Sequence, residues 1–203
     1  MTPASSHPLV LASGSGVRRR LLEDAGLDFQ VDAANVDEEN LKTAIRAEGG
    51  GAAEIAETLA ELKAMTVSRR HPQAPVIGAD QTLDCNGQLF DKPADMDHAR
   101  GHLTALAGRT HTLHTSACVV ERGARLWHGN ATARLTMRPL SADFIDGYLR
   151  RTGAEICESV GAYRLEGLGV QLFERIDGDF FTILGLPLLP LLAYLRQHAV
   201  LPS

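Results

Sequence analysis

Residues 74–83 have the sequence Ala74-Pro75-Val76-Ile77-Gly78-Ala79-Asp80-Gln81-Thr82-Leu83, and this stretch decides the fold. Its first half is a short apolar run with β-branched residues, begun by a proline, which is typical of a buried strand. Asp80 is out of place there, because a buried carboxylate must be paired, bound to a cation or exposed at a strand end. Ligands bind at strand ends in open α/β sheets, so Asp80 is a candidate functional residue. Alternatively, Asp80 is a turn residue or a helix cap, where aspartate is common.

The first strand leads into a turn that favours negative charge. Leu9–Ala12 predicts a short apolar strand, followed by Ser13-Gly14-Ser15-Gly16 and a helix that is closed by Gly26. The N–H groups and the dipole of a helix N-terminus attract anions. The three cations Arg18, Arg19 and Arg20 are unfavourable for the helix itself and indicate that an anion arrives there. A plain strand-to-helix connection explains the turn equally well, since the Walker and dinucleotide-binding signatures are absent.

Helices and strands alternate along the rest of the chain. We expect helices at 52–70, 95–107, 141–153 and from Pro187 on, strands at 28–33, 110–120 and 124–137, a turn at Asn86-Gly87, and a hairpin of Gly167–Ile176 with Phe180–Leu184 across Asp177-Gly178. This pattern predicts an α/β fold with a mixed sheet.

Other charged side chains are weaker candidates when each is considered alone. The stretch Val36–Asn40 contains three adjacent acids, whose mutual repulsion a metal ion would reverse, although a solvated acidic loop is the simpler interpretation. Lys63 lies beside the apolar stripe of a predicted helix, where most lysines extend to water. The Asn86-Gly87 turn brings Lys92 back toward the region of Asp80.

Composition excludes several classes of protein. The net charge of −5 and the pI of about 5.9 disfavour a nucleic-acid-binding surface, so local cations must meet any anionic substrate. No apolar run is long enough to cross a bilayer, and the N-terminus lacks a secretory signal. The three cysteines form no Cys-x-x-Cys pair. We therefore expect a cytoplasmic protein with reduced thiols that binds neither nucleic acid nor membrane.

Seven short motifs occur in one order along the chain. They are Leu11-Ala12-Ser13-Gly14-Ser15 with Arg18, Asp37-Glu38, Lys63-Ala64, Gly78-Ala79-Asp80, Lys92-Pro93, Gly161-Ala162-Tyr163 with Glu166-Gly167, and Gly185-Leu186-Pro187. Together they resemble the Maf family of nucleoside triphosphate pyrophosphatases, from Leu9 to about Leu195. The resemblance implies a mixed, twisted central sheet with flanking helices in two lobes around a cleft, similar to the inosine triphosphate pyrophosphatases, and a homodimer. We accordingly expect a disordered tail at residues 1–8 and a single two-lobed domain at residues 9–198.

The resemblance also implies an activity and roles for particular residues. Members hydrolyse a nucleoside triphosphate between the α- and β-phosphates, releasing diphosphate and a monophosphate with the help of Mg²⁺, Mn²⁺ or Co²⁺, and so cleanse nucleotide pools. Asp80 matches the proton acceptor that activates water, and Glu38 with Asp80 would hold the metal. The residues that would hold the phosphates are Ser13, Ser15, Arg18, Lys63 and Lys92.

Three positions depart from the pyrimidine-type members of the family. Val17 stands in place of an arginine, Gln81 in place of a threonine and Glu166 in place of a glutamine. The last two resemble the subfamily that acts on 7-methyl-GTP. A carboxylate at position 166 suits guanine, because it accepts hydrogen bonds from N1–H and the exocyclic amino group. Val17, however, lacks the aromatic ring expected to stack on a methylated base.

Two alternatives accompany this interpretation. The first is a pyrophosphatase for dTTP or UTP, which the residues at those three positions disfavour. The second is a nucleotide-binding regulator of cell division and septum formation without turnover, a role also ascribed to the family. Because a pure binder has no use for Asp80 as a metal-linked base, we favour catalysis.

Overall fold

A computed structural model describes residues 8–201, so that all of the predicted tail except Pro8 lies outside the described residues. The chain has the mixed α/β fold that the alternation of helices and strands predicts. The strands are β1 (Leu9–Leu11), β2 (Phe29–Val31), β3 (Val76–Cys85), β4 (Gln88–Phe90), β5 (Thr110–Glu121), β6 (Ala124–Met137) and β7 (Phe173–Asp177). The α-helices are α1 (Gly16–Asp24), α2 (Glu38–Ala47), α3 (Ala52–Ser68), α4 (Met96–Leu106), α5 (Ala142–Thr152), α6 (Phe180–Ile183) and α7 (Leu188–Gln197). Among residues 8–201, no helix is long and apolar enough to span a bilayer.

The chain forms two compact units. Unit 1 consists of the residues up to Gln81, Thr115–Ala131 and the residues from Gly185 on, and unit 2 consists of Thr82–His114 and Thr132–Leu184. Strands β3, β5 and β6 each contribute residues to both units.

In unit 1 the strands are hydrogen-bonded in the order β2-β1-β3-β5-β6. Strand β1 is parallel to both of its neighbours, with Leu9 opposite Phe29 and Val10 opposite Val76. All of β1 is buried, as expected for a parallel strand covered on both faces. A buried apolar cluster joins the sheet to helix α3 and consists of Val10, Ala12, Ala64, Val67, Ala74, Val76, Cys118 and Val120.

Helix α3 approaches strand β3 closely at Gly78. A Cβ atom built on Gly78 would lie 2.1 Å from the carbonyl oxygen of Ala60 and 2.8 Å from the Cβ atom of Ala64. Any side chain at position 78 would therefore push the helix away from the strand. Lys63 lies between these two contact points on the helix, so this glycine sets how near Lys63 comes to β3.

In unit 2 the strand order is β4-β3-β5-β6-β7. The predicted Asn86-Gly87 turn is confirmed: both residues have positive φ, 55° and 84°, and the turn joins β3 to β4 with Cys85 opposite Gln88. Strand β7 is antiparallel to β6. The core of this unit is a cluster of buried side chains that includes Leu83, Leu103, Leu113, Leu135, Ile145, Tyr163 and Leu172.

The hairpin expected across Asp177-Gly178 is wrong. Strand β7 ends at Asp177, and the next residues form helix α6, whose N-cap Asp179 accepts a hydrogen bond from the backbone N–H of Thr182 at 2.9 Å. This capping interaction favours a helix over a returning strand. Gly178 is needed for a close approach, since a Cβ there would lie 2.6 Å from that of Ala133, and its φ is 146°.

Candidate active site

Asp80 lies in the middle of strand β3 and is 7% exposed. The alternative that it is a turn residue or a helix cap is therefore wrong. Its carboxylate is paired: Oδ1 lies 2.5 Å from the ammonium nitrogen of Lys63. Pairing with a cation explains how a strand with apolar neighbours accommodates a carboxylate.

Lysines beside an apolar stripe usually extend to water, but Lys63 is buried. Its Nζ also lies 2.7 Å from Oε1 of Glu38, so one ammonium group bridges two carboxylates. The long stem of Lys63 reaches them because Gly78 lets helix α3 approach β3 closely. The sequence predicts that Lys63 lies on a helix, but the packing of that helix determines which groups the ammonium contacts.

The acidic stretch Val36–Asn40 is the start of a helix and not the solvated loop that its composition suggests. Asp37 is the N-cap of α2, and its carboxylate accepts a hydrogen bond from the N–H of Asn40 at 3.1 Å. This cap fixes the first turn of α2, where Glu38 contacts Lys63. Glu39 forms a separate ion pair with Lys42 at 3.0 Å. Lys63 and Lys42 thus bring positive charge to the adjacent acids, which reduces the effect of their mutual repulsion.

Arg18 places a second cation near Asp80. Its Nε donates to the carbonyl oxygen of Gly185 at 2.7 Å, and its Nη1 donates to the carbonyl oxygen of Ala79 at 2.9 Å and to Oγ of Ser13 at 3.2 Å. Within residues 8–201, its hydrogen bonds thus end on neutral oxygens. Burial lowers the pKa of Arg18, and the negative charges of Asp80 and Glu38 partly oppose this effect.

The turn before helix α1 has the geometry that the sequence predicts. Ser15 is the N-cap, and its Oγ accepts a hydrogen bond from the N–H of Arg18 at 3.4 Å, while Ser13 Oγ accepts one from the N–H of Ser15 at 3.3 Å. This cap satisfies the amide of Arg18, but the helix itself supplies no acceptor for the amides of Gly16 and Val17. The anion-binding character of a helix N-terminus therefore lies next to the buried guanidinium of Arg18.

Of the three positions that depart from the pyrimidine type, two lie in unit 1. Val17 is half-buried at the second residue of α1. Gln81 follows Asp80 in β3, and its Nε2 donates to Oγ1 of the buried Thr115 at 2.7 Å. Thr115 therefore restricts the orientation of the Gln81 amide.

The structure brings six of the candidate residues together in unit 1: Ser13, Ser15, Arg18, Glu38, Lys63 and Asp80. Lys92 and Glu166 belong to unit 2, where both are exposed, in the loop after β4 and in the turn before Leu168, respectively. Sequence reasoning did not assign roles to the carbonyl groups of Ala79 and Gly185 or to the hydroxyl of Thr115. The motif containing Gly185 was the only indication of a role for that residue.

The two carboxylates that meet at Lys63 are suitable ligands for a divalent cation. No group of three His, Cys, Asp or Glu side chains that could hold a metal converges within the described residues. Glu38 and Asp80 do converge on one point, marked by the Lys63 ammonium. Magnesium in phosphoryl-transfer sites is commonly held by one or two carboxylates, with substrate phosphates completing its coordination. The donor set therefore fits a metal shared with a phosphorylated substrate.

A family model and two relatives match nearly the whole chain. The family model described as "Maf: Maf-like protein" matches residues 8–198. A "Nucleoside triphosphate pyrophosphatase" of Paramagnetospirillum magneticum is 55% identical over 192 residues, covering 95% of this chain and 99% of that protein. A "7-methyl-GTP pyrophosphatase" of Mesorhizobium japonicum is 50% identical over 191 residues, covering 94% and 96% of the two chains. Among solved structures, a HAM1 protein from Coxiella burnetii superposes with a TM-score of 0.42 at 15% identity, covering 64% of this chain and 72% of that chain.

Proposed function

The chain belongs to the Maf-like protein family, and on this basis we propose that it is a nucleoside triphosphate pyrophosphatase, which releases diphosphate and a nucleoside monophosphate. The observation that carries the proposal is the pair of buried cations beside Asp80. Arg18 is 9% exposed and Lys63 is 8% exposed. Buried charges are retained where they meet an opposite charge, and Arg18 donates only to neutral oxygens among the described residues. The donors of its guanidinium match the geometry of a phosphate group.

Each residue of the site has a role in this reaction. The N-terminus of α1, with Ser13, Ser15 and Arg18, binds phosphate oxygens, and Lys63 adds a mobile positive charge. Asp80 accepts a proton from the attacking water, so that the water attacks phosphorus as the diphosphate departs. Phosphoryl transfer is catalysed chiefly by positioning and charge neutralisation, which this set of residues supplies.

A divalent cation such as Mg²⁺, Mn²⁺ or Co²⁺, held by Glu38 and Asp80, would neutralise negative charge on the phosphate oxygens. The role of Lys92 as a further phosphate ligand stays a prediction from the family resemblance. The assignment of Glu38 and Asp80 rests on the chemistry of the side chains and on the convergence of the two carboxylates at 2.5 and 2.7 Å from Lys63 Nζ.

We further propose that the substrate is a modified purine triphosphate, with 7-methyl-GTP as the first candidate, and that the reaction cleanses the nucleotide pool of the cytoplasm. The residue types at positions 81 and 166 support a guanine base, since an amide and a carboxylate can each accept hydrogen bonds from its donors. The relatives that are about half identical to this chain include proteins named for 7-methyl-GTP and proteins named only for nucleoside triphosphates.

The test is diphosphate release from 7-methyl-GTP, GTP, dTTP, UTP, CTP and ATP with Mg²⁺ or Mn²⁺, and with a chelator as control. We expect metal-dependent release that is fastest for 7-methyl-GTP. Faster diphosphate release from dTTP or UTP would support the proposed reaction and reject the preference for guanine. Binding without release for every nucleotide would reject the enzyme in favour of the regulator of cell division.

A pair of substitutions in one strand tests the role of Asp80. Asp80→Asn removes the base and should lower kcat by at least about a hundredfold, the range of a general base, while nucleotide binding persists. Asp84→Asn is the matched control, because Asp84 lies four residues further along β3, where its carboxylate accepts a hydrogen bond from the N–H of Gly87 in the β3–β4 turn. Unchanged turnover in Asp80→Asn would remove Asp80 from the mechanism.

A further inference from the structure

The ammonium group of Lys63 occupies the point where Glu38 and Asp80 meet. Its Nζ lies 2.5 Å from Oδ1 of Asp80 and 2.7 Å from Oε1 of Glu38. A divalent cation held by the same two oxygens would need this position. Two cations cannot share it, because their repulsion at such a distance in a buried site is large.

We propose that Lys63 and the metal compete for these two carboxylates, so that metal binds well only when a triphosphate draws Lys63 away. The proposal rests on the proposed function and assigns the site an order of events: the metal enters with the nucleotide and not before it. Lys63 then exchanges its carboxylate partners for phosphate oxygens, and this exchange removes the competing ammonium from both carboxylates.

Because of the position of Arg18, the Lys63 ammonium needs to move only a short distance in this exchange. Arg18 Nη1 donates to the carbonyl oxygen of Ala79, the residue before Asp80, at 2.9 Å. A phosphate bound to Arg18 therefore arrives next to the carboxylate that Lys63 contacts. The lysine stem has four rotatable methylene groups, so the ammonium can move between neighbouring anions without displacement of helix α3.

The proposal predicts opposite effects of one substitution on two ligands. Lys63→Met removes the ammonium and keeps the apolar stem. The affinity for Mn²⁺ alone, measured by electron paramagnetic resonance of free Mn²⁺, should rise by about tenfold or more, within the usual range of coupling between sites. The affinity for the guanosine triphosphate analogue with an α,β-methylene bridge, measured in the presence of a chelator, should fall by a similar factor. A merely structural role of Lys63 would weaken both.

Two control variants make the metal result specific. Arg70→Met also removes a cation of unit 1, but among the described residues Arg70 pairs with a single carboxylate, that of Asp32, whose Oδ1 lies 2.7 Å from its Nη2. It changes the net charge equally and should leave Mn²⁺ binding at the wild-type level. Glu38→Gln added to Lys63→Met should abolish the gain in affinity.

Equal or weaker Mn²⁺ binding by Lys63→Met would overturn the proposal. If that variant does not fold, Lys63→Gln provides the same comparison. The wild-type protein gives an independent test, because tight Mn²⁺ binding that is lost in Glu38→Gln would show that Lys63 does not compete. None of these outcomes depends on turnover, so the proposed function stands or falls separately on diphosphate release.

Discussion

Replacement of Gly78 by alanine tests whether the packing of α3 on β3 controls the chemistry. The added Cβ would lie 2.1 Å from the carbonyl oxygen of Ala60, and both atoms belong to the backbone or are fixed to it. Normal van der Waals separation requires a shift of roughly 1 Å between helix and strand. Overpacking of this kind costs about 1–3 kcal/mol of the free energy of unfolding.

The same shift should damage the active site. Lys63 lies on α3 between the residues that Gly78 contacts, and its ammonium would move away from Asp80 by a comparable distance. A misplacement of about 1 Å in an active site can lower the rate about a hundredfold. We therefore expect Gly78→Ala to lower kcat/KM by about that factor even where the protein is fully folded.

Urea unfolding and turnover measured on the same samples separate the two effects. Trp127, the single tryptophan, stacks on Tyr194 in unit 1 with ring centroids 5.6 Å apart, so its fluorescence reports the unit that contains Gly78. Gly101→Ala in α4 is the control, because no atom lies within 4 Å of its Cβ position, and alanine should stabilise that helix by about 0.5–1 kcal/mol. A Gly78→Ala protein with the wild-type urea midpoint and turnover would refute the reasoning.

Three further predictions concern single side chains. Burial lowers the pKa of His111 to about 4. The unfolded chain therefore binds one more proton than the native state as the pH falls from 6.5 toward 4, and the free energy of unfolding falls by roughly 2 kcal/mol by pH 5. His111→Phe should flatten this pH dependence, measured by urea unfolding at pH 7 and pH 5. Thr115→Val removes the 2.7 Å hydrogen bond to Gln81 and should raise KM or change the order of preferred bases more than it lowers kcat, whereas Thr115→Ser should restore the wild-type order. Asp37→Ala removes the cap of α2 and should lower the free energy of unfolding by about 1 kcal/mol. In the Lys63→Met background it should also weaken Mn²⁺ binding. An unchanged Mn²⁺ affinity there would show that the cap does not position Glu38.

The features that the sequence predicts well are set by residues close together in the chain. Ser15 caps α1 because its own hydroxyl reaches an amide three residues away, and Gly26 follows that helix with a φ of 76°. Asn86 and Gly87 adopt positive φ in a two-residue turn, as that pair of residue types favours. Local conformational preference decides such positions whatever packs around them.

The features that sequence reasoning missed have competing local signals or weak patterns. Helix α2 buries only Ile45; Leu41, Ala44 and Ile45 have helical spacing, but three adjacent acids outweighed this short pattern and suggested a loop. Asp177-Gly178 resembles a hairpin turn, but Asp179 caps a helix directly after it. In both cases an aspartate N-cap was the informative residue, and its effect was outweighed by a stronger compositional pattern.

The candidate site shows a different limit. Its members were identified by motifs, but their partners are distant in the chain: Lys63 contacts Asp80, and Arg18 contacts Gly185, 167 residues away. No periodicity encodes such a contact, because it depends on how helices α1 and α3 pack on the sheet. The neutral acceptors of Arg18 are likewise invisible in the sequence, since they are backbone carbonyl groups.

The balance of charge in this site limits what it can bind. The positive charges of Arg18 and Lys63 equal the negative charges of Glu38 and Asp80, so the four groups together are formally neutral, in a protein whose net charge is −5. A triphosphate brings several negative charges into this neutral, partly buried site, and its burial would be unfavourable without added cations. A metal–nucleotide complex would bring its own positive charge, and the proposed transfer of Lys63 to the phosphates would allow Glu38 and Asp80 to hold the metal. We therefore expect the complex of metal and nucleotide to bind more tightly than the free nucleotide.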